Sequence, residues 1–155
     1  MSSSRSPFGI GIIGCGLIGE KRAKAIGHGG KLVACADTDF TRAKQLAEIY
    51  NATAFNNYSD LVSLPEVGIV IVAVVHSSLA TITLEAIKSG KHVLVEKPAG
   101  LSVSELEPLL EEQRNRSLKI HVGFNHRYHR ALRKAKEIVD SGELGELMFI
   151  RGRYG

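Results

Sequence analysis

Gly14-Cys15-Gly16-Leu17-Ile18-Gly19 is a GxGxxG run set between the apolar stretch Phe8–Ile13 and a helix-forming stretch from about Leu17 to Ile26. Few local patterns constrain a chain more. Glycines at this spacing let a strand turn tightly into a helix, let the backbone approach an outside ligand, and let helix and strand pack closely. Gly14 suits the turn, Gly16 the approach and Gly19 the packing. The helix start, with Leu17 and Ile18, offers unpaired N–H groups and a positive dipole end to phosphates. The setting therefore predicts a dinucleotide held by its pyrophosphate at the first strand–helix turn.

The rest of the chain alternates in the same sense. Further strands are expected at Lys31–Ala36, Thr53–Phe55, Val67–Val75, His92–Glu96, Lys119–Gly123 and Glu146–Tyr154. Val67–Val75 is nearly continuous in β-branched residues, as in a strand covered on both faces of a parallel sheet. Helices are expected from an Asp39 cap to Tyr50, over Ser59–Leu64, from a Ser77 or Ser78 cap to Ser89, and over Ala131–Ser141. Another is expected behind a Ser104/Glu107 capping box, with Pro108 placed awkwardly near its start. Gly27, Gly29 and Gly30 are expected to close the first helix in left-handed conformations. Alternation of this kind predicts an α/β fold: a doubly wound parallel sheet (Rossmann) with right-handed crossovers. The expected division is a disordered tail over 1–7, a dinucleotide-binding domain over 8–125, and a connecting helix with the start of a truncated substrate domain over 126–155.

Composition sets limits on partners. The chain has 155 residues, 44% hydrophobic and 23% charged, with a net charge of +4. That is globular composition and one domain's length. The cationic residues are scattered and Trp is absent, so nucleic acid is not an expected partner. Val67–Val75 is far too short to cross a bilayer. The Met-Ser-Ser-Ser-Arg-Ser-Pro start lacks the apolar core of a secretory signal, so a cytoplasmic protein is expected. Cys15 and Cys35 read as reduced, buried, small hydrophobes. His121, His126 and His129 do not match a metal-ligand spacing and read as surface or cleft histidines.

Two further features carry chemistry. Asp37 ends the second strand, where the fingerprint expects an acid that accepts from the adenosine ribose hydroxyls and repels a 2′-phosphate. That favours NAD; Arg42 is the counter-signal and keeps NADP open. Glu96-Lys97-Pro98 lies at a strand's C-terminal end, the edge where open α/β sheets bind ligands. A lysine there donates hydrogen bonds to a substrate oxygen and supports charge developing on it.

The order GxGxxG, Asp37, Gly90-Lys91-His92-Val93-Leu94-Val95-Glu96-Lys97-Pro98, Val122-Gly123-Phe124-Asn125 with Arg127-Tyr128, and Gly142-Glu143-Leu144-Gly145 resembles the N-terminal half of the Gfo/Idh/MocA oxidoreductase family. The resemblance runs through nearly the whole chain from Phe8, and GKHVLVEKP is its most specific part. It implies hydride transfer between nicotinamide and a secondary alcohol of a sugar, cyclitol or related small molecule. It implies Glu96 at the nicotinamide ribose and Lys97 at the reacting oxygen. It also implies Val74 to Leu79 along the cofactor, and Asn125, Arg127 and Tyr128 near the substrate. Two departures stand out. Val74-Val75 replaces a common Thr-Pro, and Leu79 replaces a common His. The family's second domain, with its Asp-x-x-x-His pair and proton-accepting histidine, is not within these residues. The expectations are therefore an NAD-dependent oxidoreductase domain, inactive by itself, with a homodimer left open. The alternatives are a non-catalytic nucleotide-binding module or truncated product, and an NAD-dependent glycosidase.

Overall fold

The computed structural model describes residues 8–153. Six strands, β1 (Phe8–Ile13), β2 (Gly30–Ala36), β3 (Thr53–Phe55), β4 (Ile69–Val72), β5 (His92–Val95) and β6 (Ile120–Val122), form one sheet in the order β3-β2-β1-β4-β5-β6. Every pairing is parallel. The order reverses between β1 and β4, so the crossovers run outward in both directions and a crevice opens where they part. This is the doubly wound fold that the alternation predicts.

The helices are α1 (Leu17–Lys24), α2 (Phe40–Tyr50), α3 (Tyr58–Val62), α4 (His76–Lys88), α5 (Val103–Arg116) and α6 (Arg130–Asp140). Period-two alternation sends the strand side chains to two cores. Ile13, Ala34, Ala36, Val70, Val72, Val93 and Val95 meet Leu61, Leu79, Ala86 and Leu109 of α3, α4 and α5. Ile10, Ile12, Leu32, Cys35 and Ile71 meet Ala23, Ala43, Leu46 and Ala47 of α1 and α2. Each fully buried aliphatic side chain contributes about 1.5–3 kcal/mol, so these two layers hold the sheet between its helices.

Several boundaries differ from the sequence expectations. β4 covers only Ile69–Val72, because Val74 and Val75 leave the sheet and Val75 caps α4. Neither Ser77 nor Ser78 is that cap. Ser102 caps α5: its Oγ accepts from Glu105 N at 3.4 Å, and Glu105 Oε2 accepts from Leu101 N at 2.8 Å. The capping box therefore lies two residues before the expected Ser104/Glu107, and Pro108 sits inside the helix. Gly27, Gly29 and Gly30 are not left-handed; α1 ends at Ala25 in right-handed geometry. Asp39 caps α2 as expected, accepting from Thr41 N at 3.1 Å.

The packing divides after Gly123. The second unit holds a 3₁₀ turn (Asn125–Tyr128) and α6, which ends before Gly142 with its φ of +76°. No ladder forms over residues 146–153, where a strand was expected. A strand exists only against a partner, and Leu147, Met148, Phe149 and Ile150 are all exposed. Tyr154 lies outside the described residues, as does the expected tail over 1–7.

Candidate functional site

A cleft of about 580 Å³ opens at the C-terminal edge of the first unit's sheet, where the strand order reverses. Gly14, Gly16, Leu17, Ile18, Asp37 and Val74 all line it. These are six of the nine residues that the sequence picks out for a dinucleotide; Gly19, Glu96 and Lys97 are not in its wall.

The three glycines differ in what surrounds them. A Cβ on Gly14, at φ +91°, would lie 2.3 Å from Ala73 O, and one on Gly19 would lie 2.0 Å from Gly14 O. Both positions are crowded by backbone, so glycine there serves the packing of turn, helix and strand. A Cβ on Gly16 would meet nothing nearer than Arg42 Nη1 at 4.0 Å. Gly16 faces open space, and that space is the cradle a side chain would fill. Gly16 also precedes α1 without any side-chain cap. Among the described residues, no protein acceptor takes the N–H of Leu17, Ile18 or Gly19. Free donors at a helix start beside a side-chain-free approach suit a pyrophosphate.

Asp37 does more than the sequence suggests. Its Oδ2 accepts from Cys15 N at 2.7 Å and its Oδ1 from Asp39 N at 2.9 Å. The carboxylate thus ties the glycine loop to the end of β2. A carboxylate has about four acceptor positions, so two bonds leave room for ribose hydroxyls. Arg42 pairs with Asp39 at 3.3 Å and also lines the cleft. His76, within the Val74–Leu79 stretch expected along the cofactor, lines it too, as do Thr38, Asn56, Asn57 and Tyr58. Sequence reasoning missed the last four because they are ordinary loop and cap residues near the ends of β2 and β3.

Cys15 and Cys35 are free and buried. The hydrogen bond with the Cys35 thiol, and then burial, push the Cys15 thiol well above the usual range. It stays an unreactive thiol beside the loop. Leu79 is buried in the α4 core, so the Val74–Leu79 stretch follows the cleft only in part.

Glu96 and Lys97 leave β5 at the same sheet edge but are not in the cleft's wall. Lys97 is exposed, and Ala99 N donates to Glu96 O at 3.0 Å, closing a tight turn around Lys97 and the cis-linked Pro98. Glu96 is committed to Arg22 of α1, whose Nε donates to Oε1 at 2.6 Å. Nothing in the sequence signals that partnership. Asn125, Arg127 and Tyr128 share the 3₁₀ turn of the second unit, all exposed.

Residues 8–124 match the model of the Gfo/Idh/MocA family, described as an oxidoreductase family with an NAD-binding Rossmann fold. The chain belongs to this family. Its first unit is the Gfo/Idh/MocA NAD-binding domain. An inositol 2-dehydrogenase of Salmonella typhimurium is 30% identical over 150 residues, which are 93% of this chain and 45% of that protein. Scyllo-inositol dehydrogenase from Lactobacillus casei, solved with NAD(H) and scyllo-inositol, superposes with a TM-score of 0.84 at 25% identity. The match covers 91% of this chain and 43% of that one. A variant 3-ketoreductase from Actinomadura kijaniata, solved with TDP-benzene and NADP, superposes at 0.82 with 27% identity, covering 91% of this chain and 46% of that one. The chain therefore spans less than half the length of the relatives it matches.

Proposed function

We propose that this chain is the cofactor-holding part of an NAD-dependent dehydrogenase that moves a hydride between nicotinamide and a secondary alcohol carbon of a cyclitol or sugar. The observation that carries the reading is the open Gly16 cradle beside the Asp37 carboxylate, on the same sheet edge as Lys97. Gly14, Gly16, Leu17, Ile18 and Gly19 would hold the pyrophosphate, Asp37 the adenosine ribose, and Val74 the cofactor's flank. The bound nicotinamide supplies hydride acceptance and donation. Lys97 donates a hydrogen bond to the reacting oxygen and steadies its charge. Lys97 has this hydrogen-bonding role alone, and the proton leaves through another group. Glu96 would accept from the nicotinamide ribose, and Asn125, Arg127 and Tyr128 would serve as substrate contacts.

Residues 8–125 form the cofactor domain in this reading, supported by the packing break after Gly123, and 126–155 begin the substrate domain. Two free buried thiols suit a reducing cytoplasm. Exposed Leu147 to Ile150 suit a homodimer, which light scattering tests. The Asp37 carboxylate predicts tighter binding of NADH than NADPH. Fluorescence titration of both, then turnover assays on inositol and sugar panels with a Lys97→Ala control, tests the reading; these 155 residues by themselves are expected to bind NADH without turnover. Equal or tighter NADPH binding removes the NAD assignment, and turnover that survives Lys97→Ala removes the role of Lys97.

A further inference from the structure

We propose that Arg22 is a positioning residue for the nicotinamide half of the site, acting through Glu96 on the turn that carries Lys97. The inference rests on the cofactor reading above and assigns a role to a side chain outside the glycine fingerprint.

Arg22 stands in the last turn of α1, the helix whose first turn borders the Gly16 cradle. It reaches across 74 residues of sequence to Glu96, placing both Nε, at 2.6 Å, and Nη2 on Oε1. The side chains are only 24% and 14% exposed. A half-buried pair of this kind is held by geometry, since removing one partner leaves the other charge poorly solvated. Both guanidinium nitrogens converge on Oε1, and Oε2 makes no hydrogen bond among the described residues. One oxygen is clamped while the other is left to accept a ribose hydroxyl.

The backbone around the pair is fixed as well. Glu96 N donates to Val72 O at 2.9 Å, and Ala99 N closes the turn onto Glu96 O at 3.0 Å. Lys97 lies between these two bonds. Gly123, the first residue after β6, donates to Val95 O at 2.8 Å and covers the ion pair. A Cβ there would sit 3.0 Å from Arg22 Nη2 and 3.2 Å from each Glu96 carboxylate oxygen. Glycine at 123 is thus matched to the pair beneath it. A lysine side chain has four rotatable bonds, and its aim depends on how firmly its base is held. Arg22 holds that base from the helix that also borders the pyrophosphate cradle.

The test separates the two halves of the cofactor. NADH and ADP are titrated by calorimetry against the wild type, Arg22→Gln, Arg22→Lys, Glu96→Gln, the Arg22→Gln/Glu96→Gln double variant and Gly123→Ala, with melting curves on each. ADP shares the adenosine and the pyrophosphate and lacks the nicotinamide riboside. Arg22→Gln weakens NADH about tenfold, the scale of one charge-assisted hydrogen bond, and leaves ADP within about twofold. Arg22→Lys falls between, Gly123→Ala resembles Arg22→Gln, and the Arg22→Gln/Glu96→Gln double variant falls no further than either single. Equal loss of NADH and ADP overturns the inference, because Arg22 would then only hold the fold. NADH binding that resists Arg22→Gln overturns it alone. A wild type that binds ADP but not NADH overturns both this inference and the cofactor reading.

Discussion

Replacing Asp37 with Ala tests two roles of one carboxylate at once. The fingerprint gives it the ribose; the structure adds Cys15 N at 2.7 Å and Asp39 N at 2.9 Å. Asp39 is exposed, so water replaces the lost acceptor there. Cys15 is only 2% exposed, so its N–H is left without a partner. An unsatisfied buried N–H costs about 1–3 kcal/mol. At roughly 2–4 °C per kcal/mol for a domain of this size, the melting midpoint falls by about 2–12 °C. NADH affinity drops at least tenfold, because hydrogen bonds to a charged acceptor contribute about 1.5–3 kcal/mol. NADPH loses less, since the repulsion of its 2′-phosphate goes too, and the preference narrows. Asp37→Asn recovers only part of the stability: its amide NH₂ must face one of the two N–H donors. Differential scanning fluorimetry and nicotinamide fluorescence titrations measure both effects. Asp37→Ala with an unchanged midpoint would refute the loop tie, and unchanged NADH binding would refute the ribose contact.

Gly16→Val abolishes NADH binding yet moves the melting midpoint by no more than about 2 °C, whereas Gly19→Ala costs about 1–3 kcal/mol, because its Cβ would lie 2.0 Å from Gly14 O. Titration and melting of the two variants together check the contrast, and equal stability losses would contradict it. Leu61→Ala removes a fully buried side chain that covers Gly11 and costs about 2–5 kcal/mol. Gly11→Ala added to it recovers part of that loss by urea denaturation, since its Cβ no longer meets Leu61 Cδ2 at 2.6 Å. Burial pulls the Lys91 ammonium below its ordinary range, with the Glu66 charge opposing, while Nζ donates to Leu64 O at 2.7 Å. The unfolded chain then holds more protons in the window between the lowered value and about 10.4, so stability rises with pH there. The wild type therefore gains relative to Lys91→Met as pH climbs through that window, and a flat difference would refute the assignment.

Elements whose cause is local were readable in the sequence. The Asp39 cap, the three-residue β3 and the GxGxxG turn depend on neighbours a few positions away, and each is where the pattern puts it. Boundaries slipped where a tertiary role overrode local propensity. Val74 and Val75 have strand propensity, yet Val74 lines the cleft and Val75 opens α4. Ser104 and Glu107 match a capping box as well as Ser102 and Glu105 do, and only packing decides between them. Arg22 was invisible because its partner lies 74 residues away, and nothing periodic links a helix's last turn to the end of β5. The Asp37 carboxylate was likewise assigned only to a ligand, since sequence cannot show that a loop N–H already points at the acid.

All six strands contribute to one edge, and this is why scattered motifs converge. Gly14 follows β1 directly, Asp37 follows β2, Asn56 follows β3, Ala73 and Val74 follow β4, Glu96 and Lys97 follow β5, and Gly123 follows β6. Parallel strands point every one of these positions the same way, so all of them lie along the C-terminal edge of the sheet. The reversal between β1 and β4 parts the helices there and leaves the cleft. The glycine loop and the Lys97 turn stand on opposite sides of that reversal, with β4 between β1 and β5. Hydrogen bonds from Gly14 N to Ala36 O and from Glu96 N to Val72 O fix each to its neighbouring strand but do not join the two. α1 does join them: it starts at the loop and, through Arg22, ends on Glu96. The five-residue step from Leu17 to Arg22, about 7.5 Å at 1.5 Å per residue, thereby links the glycine loop to the turn that carries Lys97.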